Sequence, residues 1–304
     1  MSMATTHLPV PRPRELNSSL RALLAAGITL GLVLVFVLGP SANKTHATNL
    51  FGTLRAPGEP ALIAGHRGDR SAAPENTLPA LQIALAGPMV FVEIDIRLSA
   101  DGFPVLIHDA TVDRTTNGTG KVADLTLAQL QSLDAGAWYS QAFVGAGIPT
   151  LDSFLQLLRE SNKRAILELK GEWSAESTLV VNALISTHWL ERRVVLASFD
   201  LPTLQALQAS APELPRMLIQ RVLPEDPVAL AHEYGAIGLV TSPSSVEADP
   251  TVVGRIHDAG LGILLYTLNK KKNWAAALAL GVDGIITDKP SSLDEWLAAT
   301  APGT

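Results

Sequence analysis

The stretch MVFVEIDI, residues 89–96, decides the fold class of this chain. Its β-branched residues predict a strand, in which successive side chains point to opposite faces. Glu93 and Asp95 are two residues apart, so both carboxylates lie on one face and the apolar residues that alternate with them lie on the other. Similar short runs follow along the chain and alternate with helical stretches, which is the pattern of repeated strand–helix units.

Eight runs of this kind predict eight strands. They are Ala61–Gly65, Met89–Ile96, Arg164–Leu169, Arg193–Ser198, Arg216–Gln220, Ala236–Thr241, Leu261–Leu268 and Gly284–Thr287. The helical stretches between them include Thr77–Ala86, Ser174–His188, Leu201–Ala209, Pro227–Tyr234, Pro250–Ala259 and Lys271–Leu280. Eight parallel strands with intervening helices predict the α/β class and a closed (β/α)8 barrel, the TIM barrel, rather than an open doubly wound sheet. We expect the barrel domain to occupy residues 59–300, close to the ~250 residues usual for this fold.

One insertion interrupts the strand–helix rhythm after the second strand. It is predicted over residues 99–161 and contains a short additional strand, Pro104–His108, and a short helix, Thr126–Asp134. Asn117-Gly118 marks a turn between them.

The amino-terminal part of the chain carries an apolar run. Residues 22–39, ALLAAGITLGLVLVFVLG, contain no charged residue, and at 1.5 Å per residue they span ~27 Å, close to the thickness of the hydrocarbon core. The three arginines of residues 1–50, Arg12, Arg14 and Arg21, all precede the run. This predicts a cytoplasmic tail over residues 1–21 and translocation of the rest. Residues 40–58 are interpreted as a linker.

Two fates of this segment remain open. The run is longer than the apolar core usual for a signal peptide, which favours an uncleaved transmembrane anchor. Thr45-His46-Ala47 offers an alternative cleavage site, in which case the protein is exported. Either way we expect the barrel to lie outside the cytoplasm.

Charge and composition exclude several classes of protein. The chain has no cysteine, so it has no disulfide, thiolate metal site or cysteine nucleophile. Its net charge is −6, and residues 1–50 carry four basic residues against Glu15, so residues 51–304 carry −9. An acidic domain argues against a nucleic-acid partner, and a site for an anionic substrate must supply its own positive charge. Nothing in the sequence indicates the oligomeric state.

A carboxylate cluster is predicted at the carboxyl ends of the strands, where reactive groups of such barrels lie. Glu93 and Asp95 would be joined by Glu168 from the neighbouring strand. Three buried carboxylates repel one another unless a cation compensates, and three hard oxygen ligands suit Ca²⁺ or Mg²⁺ better than zinc. The alternative is that Arg97 or Lys170 neutralises them through salt bridges.

Two histidines are predicted at the same edge. His66 and His108 each end a strand, where a side chain faces the mouth of the barrel. A histidine pair can act as general base and general acid for one displacement, whereas a lone strand-end histidine is more often hydrogen-bonded scaffolding. Arg67 and Lys170 are candidates to hold phosphate oxygens.

Together these residues resemble the glycerophosphodiester phosphodiesterase family. The matching stretches are AGHRGDRSAAPENTLPA (64–80), FVEIDIRLSADGFPVLIHDATVDRTTNGTG (91–120), IPTLDSF (148–154), LELK (167–170), ASF (197–199) and GVDGIITDKP (281–290). They follow the family's order over nearly the whole domain. One departure is Tyr266-Thr267-Leu268-Asn269, where the family commonly has Trp-Thr-Val-Asn.

The resemblance implies roles for individual residues. His66 and His108 would be the acid–base pair, Glu93, Asp95 and Glu168 the ligands of one divalent cation, and Arg67, Lys170, Phe199 and Tyr266 the contacts to phosphate or substrate. It also implies that the glycerol 2-hydroxyl attacks phosphorus and expels the alcohol, and that water then opens a cyclic phosphate. The products would be sn-glycerol 3-phosphate and an alcohol, in glycerophospholipid degradation. Residues 99–161 would be the family's small insertion, which caps the site and favours a small glycerol head.

Two rival functions follow from the same residues. A lysophospholipase D or sphingomyelinase-D-like enzyme shares the barrel, the histidines and the metal cluster, and a membrane tether makes a lipid substrate plausible. The capping insertion and the Pro74-Glu75-Asn76-Thr77 motif favour a small water-soluble diester instead. A catalytically inactive phosphodiester-binding barrel predicts loss of a histidine or a carboxylate, and none is lost.

Overall fold

In the computed structural model of the protein, residues 46–300 are described, and nine strands within them form one sheet. The strands are β1 Leu62–His66, β2 Phe91–Leu98, β3 Pro104–Leu106, β4 Arg164–Leu169, β5 Val194–Ser198, β6 Arg216–Gln220, β7 Gly238–Thr241, β8 Gly262–Leu265 and β9 Gly284–Thr287. Strands β4 to β9 follow one another in order, β9 pairs with β1, and β1 pairs with β2, so eight parallel strands close a barrel. Strand β3 adds to β2 in the antiparallel direction. The predicted closed barrel is confirmed.

Eleven α-helices lie among the described residues. They are α1 Ala47–Phe51, α2 Leu78–Ala86, α3 Leu127–Gln131, α4 Leu151–Glu160, α5 Ala175–Thr187, α6 Leu201–Ser210, α7 Pro227–Glu233, α8 Pro243–Ala248, α9 Val252–Asp258, α10 Lys271–Leu280 and α11 Pro290–Thr300. Several begin at side-chain caps: Thr150, Ser174, Asp200 and Asp226 each accept a hydrogen bond from a backbone N–H in the first turn. None of the helices in residues 46–300 combines the length and the apolar character needed to cross a membrane.

The side chains of β2 alternate between its two faces, as predicted from residues 89–96. Val92, Ile94 and Ile96 are buried in the layer between the barrel and the helices. Phe91 belongs instead to the cluster inside the barrel, and Glu93 and Asp95, on the same face of β2, are buried above it toward the carboxyl end. The carboxylates are therefore part of the barrel interior.

The last part of the predicted insertion forms helix α4. This helix connects β2 to β4, and its Phe154, Leu155 and Leu158 are buried against the strands in the main core. The rest of the predicted insertion, residues 99–150, precedes this helix. It has a small apolar core of its own, which includes Val112, Val122, Leu130 and Ile148.

Residues 47–51 of the predicted linker form helix α1. Helix α1 is buried in the cluster that fills the barrel interior, and Phe51 closes the amino-terminal end of the barrel, where the strands begin. The backbone N–H of Arg55 donates to Asp283 Oδ1 at 2.9 Å, which fixes the chain to the loop before β9. Residues 40–58 show neither strand nor helix periodicity, so the sequence did not indicate that α1 and Phe51 are buried in the barrel. Residues 1–45, which contain the predicted tail, the apolar run and the start of the linker, lie outside the described residues.

Candidate active site

Three carboxylates meet at the carboxyl end of the barrel. Asp95 and Glu168 are partners in the parallel register of β2 and β4, and Glu93 lies two residues before Asp95 on the same face. One oxygen from each of the three residues lies within 4.8 Å of the others. The residues are 3%, 0% and 7% exposed for Glu93, Asp95 and Glu168 respectively. The structure thus brings the predicted triad together.

The triad carries more negative charge than its surroundings neutralise. Burial, followed by the charges of Asp95 and Glu168, raises the pKa of Glu93 well above its ordinary value. Burial and the charge of Asp95 raise the pKa of Glu168 to about 7. Burial acts in the same direction on Asp95, but Lys170 and Arg67 outweigh it and hold the pKa of Asp95 low.

The salt bridges anticipated for these carboxylates exist, but they leave oxygens available. Lys170 Nζ lies 3.0 Å from Asp95 Oδ1 and 2.6 Å from Glu168 Oε1. Neither of these buried oxygens accepts a hydrogen bond of good geometry from any described residue. Arg97 does not take part, because its Nε donates to the carbonyl of His108 at 2.9 Å. Three buried carboxylates, two of which have an oxygen that accepts no hydrogen bond, fit a hard divalent cation, so the residues present suit the metal implied by the sequence.

His66 is held by the carboxylate of Asp288, the residue directly after β9. Its Nδ1 lies 2.6 Å from Asp288 Oδ1, and because an ionised carboxylate only accepts, Nδ1 carries the proton and Nε2 a free lone pair. Asn269 fixes Asp288 in turn: its Nδ2 donates to Asp288 Oδ2 at 2.7 Å. Burial lowers the pKa of His66, and Asp288 opposes only part of that effect. His66 is therefore an oriented, neutral base at neutral pH.

His108 has a parallel arrangement nearer to solvent. Its Nδ1 lies 2.6 Å from Asp109 Oδ1, and Arg114 Nε donates to the other oxygen of Asp109 at 2.6 Å. Burial lowers the pKa of His108, an effect that Asp95 opposes. His66 is the register partner of Glu93, and the N–H of Ile107, next to His108, donates to the carbonyl of Asp95 at 3.1 Å, so both histidines lie beside the same carboxylate cluster.

Arg67 connects the triad to a buried glutamate. It adopts a left-handed backbone conformation with φ 57°, and its N–H donates to Glu93 Oε2 at 3.0 Å. Its guanidinium lies 3.1 Å from Asp95 Oδ2 and donates to Glu75 Oε1 at 2.6 Å. Glu75 also pairs with Arg70 and Arg114 at 2.7 Å each. A buried carboxylate thus holds three arginines at the mouth of the barrel.

A pocket opens above the triad. His66, Glu93 and Glu168 line one side of it, and Phe199 and Tyr266 line another. The two aromatic rings meet edge to face with centroids 5.8 Å apart. The floor is apolar and consists of Ile166, Ile219, Val240 and Ile286. Every site residue predicted from the sequence lies in this pocket or in the charged network beside it.

The sequence did not single out the residues that orient the predicted ones. These are Glu75, Asp109, Arg114, Asn269 and Asp288. Four of them lie within stretches that match the family: Glu75 in Pro74-Glu75-Asn76-Thr77, Asp109 directly after His108, Arg114 in the stretch 91–120, and Asp288 in GVDGIITDKP. The motifs were visible, but only the fold shows that Asp288 approaches His66 across 222 positions of the chain.

Comparison with known proteins agrees with this geometry. A sequence model described as the glycerophosphoryl diester phosphodiesterase family matches residues 66–292. The chain belongs to this family. It is 33% identical over 235 residues to a glycerophosphodiester phosphodiesterase of Caldanaerobacter subterraneus subsp. tengcongensis, which covers 76% of this chain and 96% of that protein.

Solved structures of the family have the same fold. The glycerophosphodiester phosphodiesterase of Agrobacterium tumefaciens superimposes with a TM-score of 0.69 at 32% identity, over 78% of this chain and all of that one. A phosphodiesterase of Oleispira antarctica, solved in complex with the product sn-glycerol-3-phosphate, gives a TM-score of 0.74 at 30% identity, over 78% of this chain and 96% of that one. The family inferred from the sequence is confirmed.

Proposed function

We propose that this protein is a metal-dependent glycerophosphodiester phosphodiesterase that releases sn-glycerol 3-phosphate and an alcohol, in the degradation of glycerophospholipids. The observation that carries the proposal is the buried triad of Glu93, Asp95 and Glu168 flanked by two histidines, each paired with its own carboxylate. The Oleispira antarctica relative, solved with sn-glycerol-3-phosphate, supports the identity of the product.

The triad would hold one divalent cation, Ca²⁺ or Mg²⁺. When bound, such an ion neutralises charge that develops on the phosphoryl oxygens. Arg67 and Lys170 would hold the remaining phosphate oxygens, the guanidinium as a fork and the ammonium as a point charge. The neighbouring carboxylates outweigh burial and raise the pKa of Lys170, so it is positively charged at neutral pH.

The histidines would move the two protons that the reaction requires. One ring would take a proton from the attacking glycerol 2-hydroxyl through its free Nε2, and the other, in its protonated form, would donate a proton to the oxygen of the departing alcohol. Water would then open the cyclic phosphate: the ring that gave up its proton takes one from the water, and the ring that gained one returns it to the 2-oxygen, which releases sn-glycerol 3-phosphate. Their carboxylate partners hold both rings by Nδ1, so that Nε2 is the nitrogen that exchanges protons. Phe199 and Tyr266 would contact the glycerol part from the opposite side of the pocket.

Asp288 is a positioning residue for His66, and its replacement gives a first test. We expect Asp288→Asn to lower kcat ~10- to 100-fold, because the amide cannot hold the ring in the tautomer that leaves Nε2 free. KM should change little, and the pH profile of kcat should shift, which mere loosening of the fold would not produce. Asp152→Asn, which removes a similar carboxylate–histidine pair with His188 outside the pocket, is the matched control. Equal activity of the two variants would contradict this role.

Cation binding should depend on pH. In the cation-free protein the pKa of Glu168 lies at about 7 and that of Glu93 is also raised, so at pH 6 the cation must displace protons that are largely absent at pH 8. The apparent Kd for Mg²⁺ or Ca²⁺, measured by calorimetry, should therefore fall as pH rises from 6 to 8, with proton release on binding. A Kd independent of pH in this range would show that these carboxyls are not ligands.

The substrate is expected to be small, because the insertion covers the mouth of the barrel. Tyr139 in the insertion donates its hydroxyl proton to the carbonyl of Ser71 at 2.8 Å, which fastens the cap to the loop after β1. Asp134 accepts hydrogen bonds from Gly136, Ala137 and Gly145 and so keeps the loop compact. A capped mouth excludes an acyl chain and leaves room for glycerol.

A comparison of substrates tests this preference. We expect glycerophosphocholine or glycerophosphoethanolamine to give a higher kcat/KM than lysophosphatidylcholine, measured with each metal in turn. Shortening the loop around Trp138–Gly147 should narrow the difference. If the intact protein prefers the lysolipid, the lysophospholipase D function takes the place of this one. If it hydrolyses neither substrate with any metal, the barrel is a binding protein.

The location of the protein is proposed from its sequence. Residues 22–39 would form an uncleaved transmembrane helix with the barrel on the non-cytoplasmic side, and cleavage near Thr45-His46-Ala47 is the alternative. Membrane fractionation with amino-terminal sequencing distinguishes the two. Full-length chain that is soluble in the cytoplasm would contradict both.

A further inference from the structure

The amino-terminal end of the barrel carries a basic surface, here called the basic face. It consists of Arg159, Lys163, Arg164, Arg192 and Arg193. Among the residues that the structure describes, no carboxylate lies within 4.0 Å of any of these five side chains. Glu160 and Glu191 are the acidic residues within the same two segments, 159–164 and 191–193, which leaves a charge of +3. This contrasts with the −9 of residues 51–304.

The basic face is held in place by backbone carbonyls rather than by acids. Arg193 donates to the carbonyl of Leu158 at 2.7 Å, and Lys163 donates to that of Gly87 at 2.7 Å. Arg159 and Arg192 are exposed at its edge. Because carbonyl oxygens orient these cations without cancelling their charge, the face remains positive and is available to an anionic partner.

Trp189 projects from the same end of the barrel, in the loop between α5 and β5. It is 84% exposed and has a left-handed backbone conformation, φ 57°, which is unusual for a bulky residue. An indole in bulk water gains nothing from its apolar surface, whereas at a bilayer interface it meets both apolar and hydrated groups. Trp138, the other largely exposed tryptophan, lies in the insertion at the opposite end of the barrel.

The chain enters the described structure at this end. Helix α1 closes the amino-terminal end of the barrel, and Arg164 of the basic face donates a hydrogen bond to the carbonyl of Leu50 in that helix. Seven residues, 40–46, separate α1 from the apolar run 22–39, and seven residues reach at most ~25 Å. An apolar run that lies in a bilayer therefore keeps this end of the barrel within reach of the lipid headgroups.

We propose that the basic face and Trp189 contact the surface of an anionic lipid bilayer, so that the active site at the other end of the barrel faces away from the membrane. This inference rests on the proposed membrane association of residues 22–39. It implies that the substrate reaches the pocket from the aqueous phase, because the lipid surface and the carboxylate triad lie at opposite ends of the strands. Each lysine or arginine near an anionic surface adds to this attraction, which weakens as the ionic strength rises.

Bromine-labelled lipids test the contact directly. The full-length protein is reconstituted into vesicles of phosphatidylglycerol, with and without bromine on the acyl chains near the headgroup, and tryptophan fluorescence is recorded. We expect bromolipid to quench the wild type, Trp189→Phe to lose most of that quenching, and Trp138→Phe to retain it. In phosphatidylcholine the quenching that depends on Trp189 should be weaker.

The charge contribution has its own pair of variants. Arg159→Gln with Arg192→Gln should reduce the difference between anionic and neutral vesicles, whereas Lys271→Gln with Lys272→Gln, two exposed lysines at the carboxyl end, should not. Quenching that survives Trp189→Phe, or that is lost in Trp138→Phe, overturns the inference while the vesicle-bound protein still hydrolyses glycerophosphocholine. A chain that does not float with vesicles overturns both the inference and the proposed anchor. A vesicle-bound protein that shows the Trp189 quenching but does not hydrolyse glycerophosphocholine contradicts the proposed catalytic function and leaves the membrane contact unaffected.

Discussion

Replacing His66 or His108 with alanine is expected to lower kcat on glycerophosphocholine by at least ~10²-fold. Each ring handles one of the two protons of the displacement, and each is oriented by its own carboxylate at 2.6 Å, so neither can substitute for the other. Affinity for sn-glycerol 3-phosphate should change much less, because the phosphate would be held by the cation, Arg67 and Lys170. Steady-state kinetics and product titration separate the two effects.

His232→Ala provides the control, since that histidine is exposed on α7 and makes no contact with the pocket. The double variant of His66 and His108 should be little worse than either single variant, because residues that act as a unit are not additive. Near-normal turnover of His108→Ala would show that His108 is not part of the acid–base pair. His66 would then be the only catalytic histidine, and a water molecule would protonate the departing alcohol.

Removal of one ligand carboxylate should have a comparable effect. Glu93→Gln, Asp95→Asn and Glu168→Gln are each expected to lower kcat/KM at least ~10²-fold, since a bound cation supplies several kcal/mol of charge stabilisation in the transition state. Thermal unfolding separates this from damage to the fold. Without added cation, Glu93→Gln should not lower Tm, because burial and the neighbouring carboxylates already raise the pKa of Glu93 and make its charge unfavourable.

The same variants should lose the increase in Tm that a saturating cation gives to the wild type. Glu172→Gln, an exposed carboxylate in the loop after β4, is the matched control and should keep both activity and the increase. A Glu168→Gln protein that still gains stability from Ca²⁺ or Mg²⁺, and still turns over, would place the cation elsewhere.

Much of the site was predictable because strands impose a period of two. Glu93 and Asp95 had to share a face, and a barrel brings the carboxyl ends of neighbouring strands together, so Glu168 joined them. His66 and His108 were predicted at the same edge because each ends a strand. These predictions needed only local periodicity and one decision about topology.

The rest depended on contacts between distant parts of the chain. Residues 281–290 alone do not indicate that Asp288 forms a hydrogen bond with His66, because that contact forms only when β9 pairs with β1. Likewise Phe51 lies in a stretch of mixed composition, and only the open end of the barrel explains why it is buried. Helix α4 was not predicted separately from the insertion because it follows irregular structure, although its Thr150 cap and the spacing of Leu151, Leu155 and Leu158 are helical.

The most direct test of the proposed activity is the release of sn-glycerol 3-phosphate from glycerophosphocholine by the full-length protein, assayed after chelation and again after Mg²⁺ or Ca²⁺ is restored. We expect the chelated protein to be inactive and one of the two cations to restore turnover, with the metal bound in the triad and both histidines required. Hydrolysis that is unaffected by chelation, or no release of sn-glycerol 3-phosphate with either cation, would contradict the proposed function.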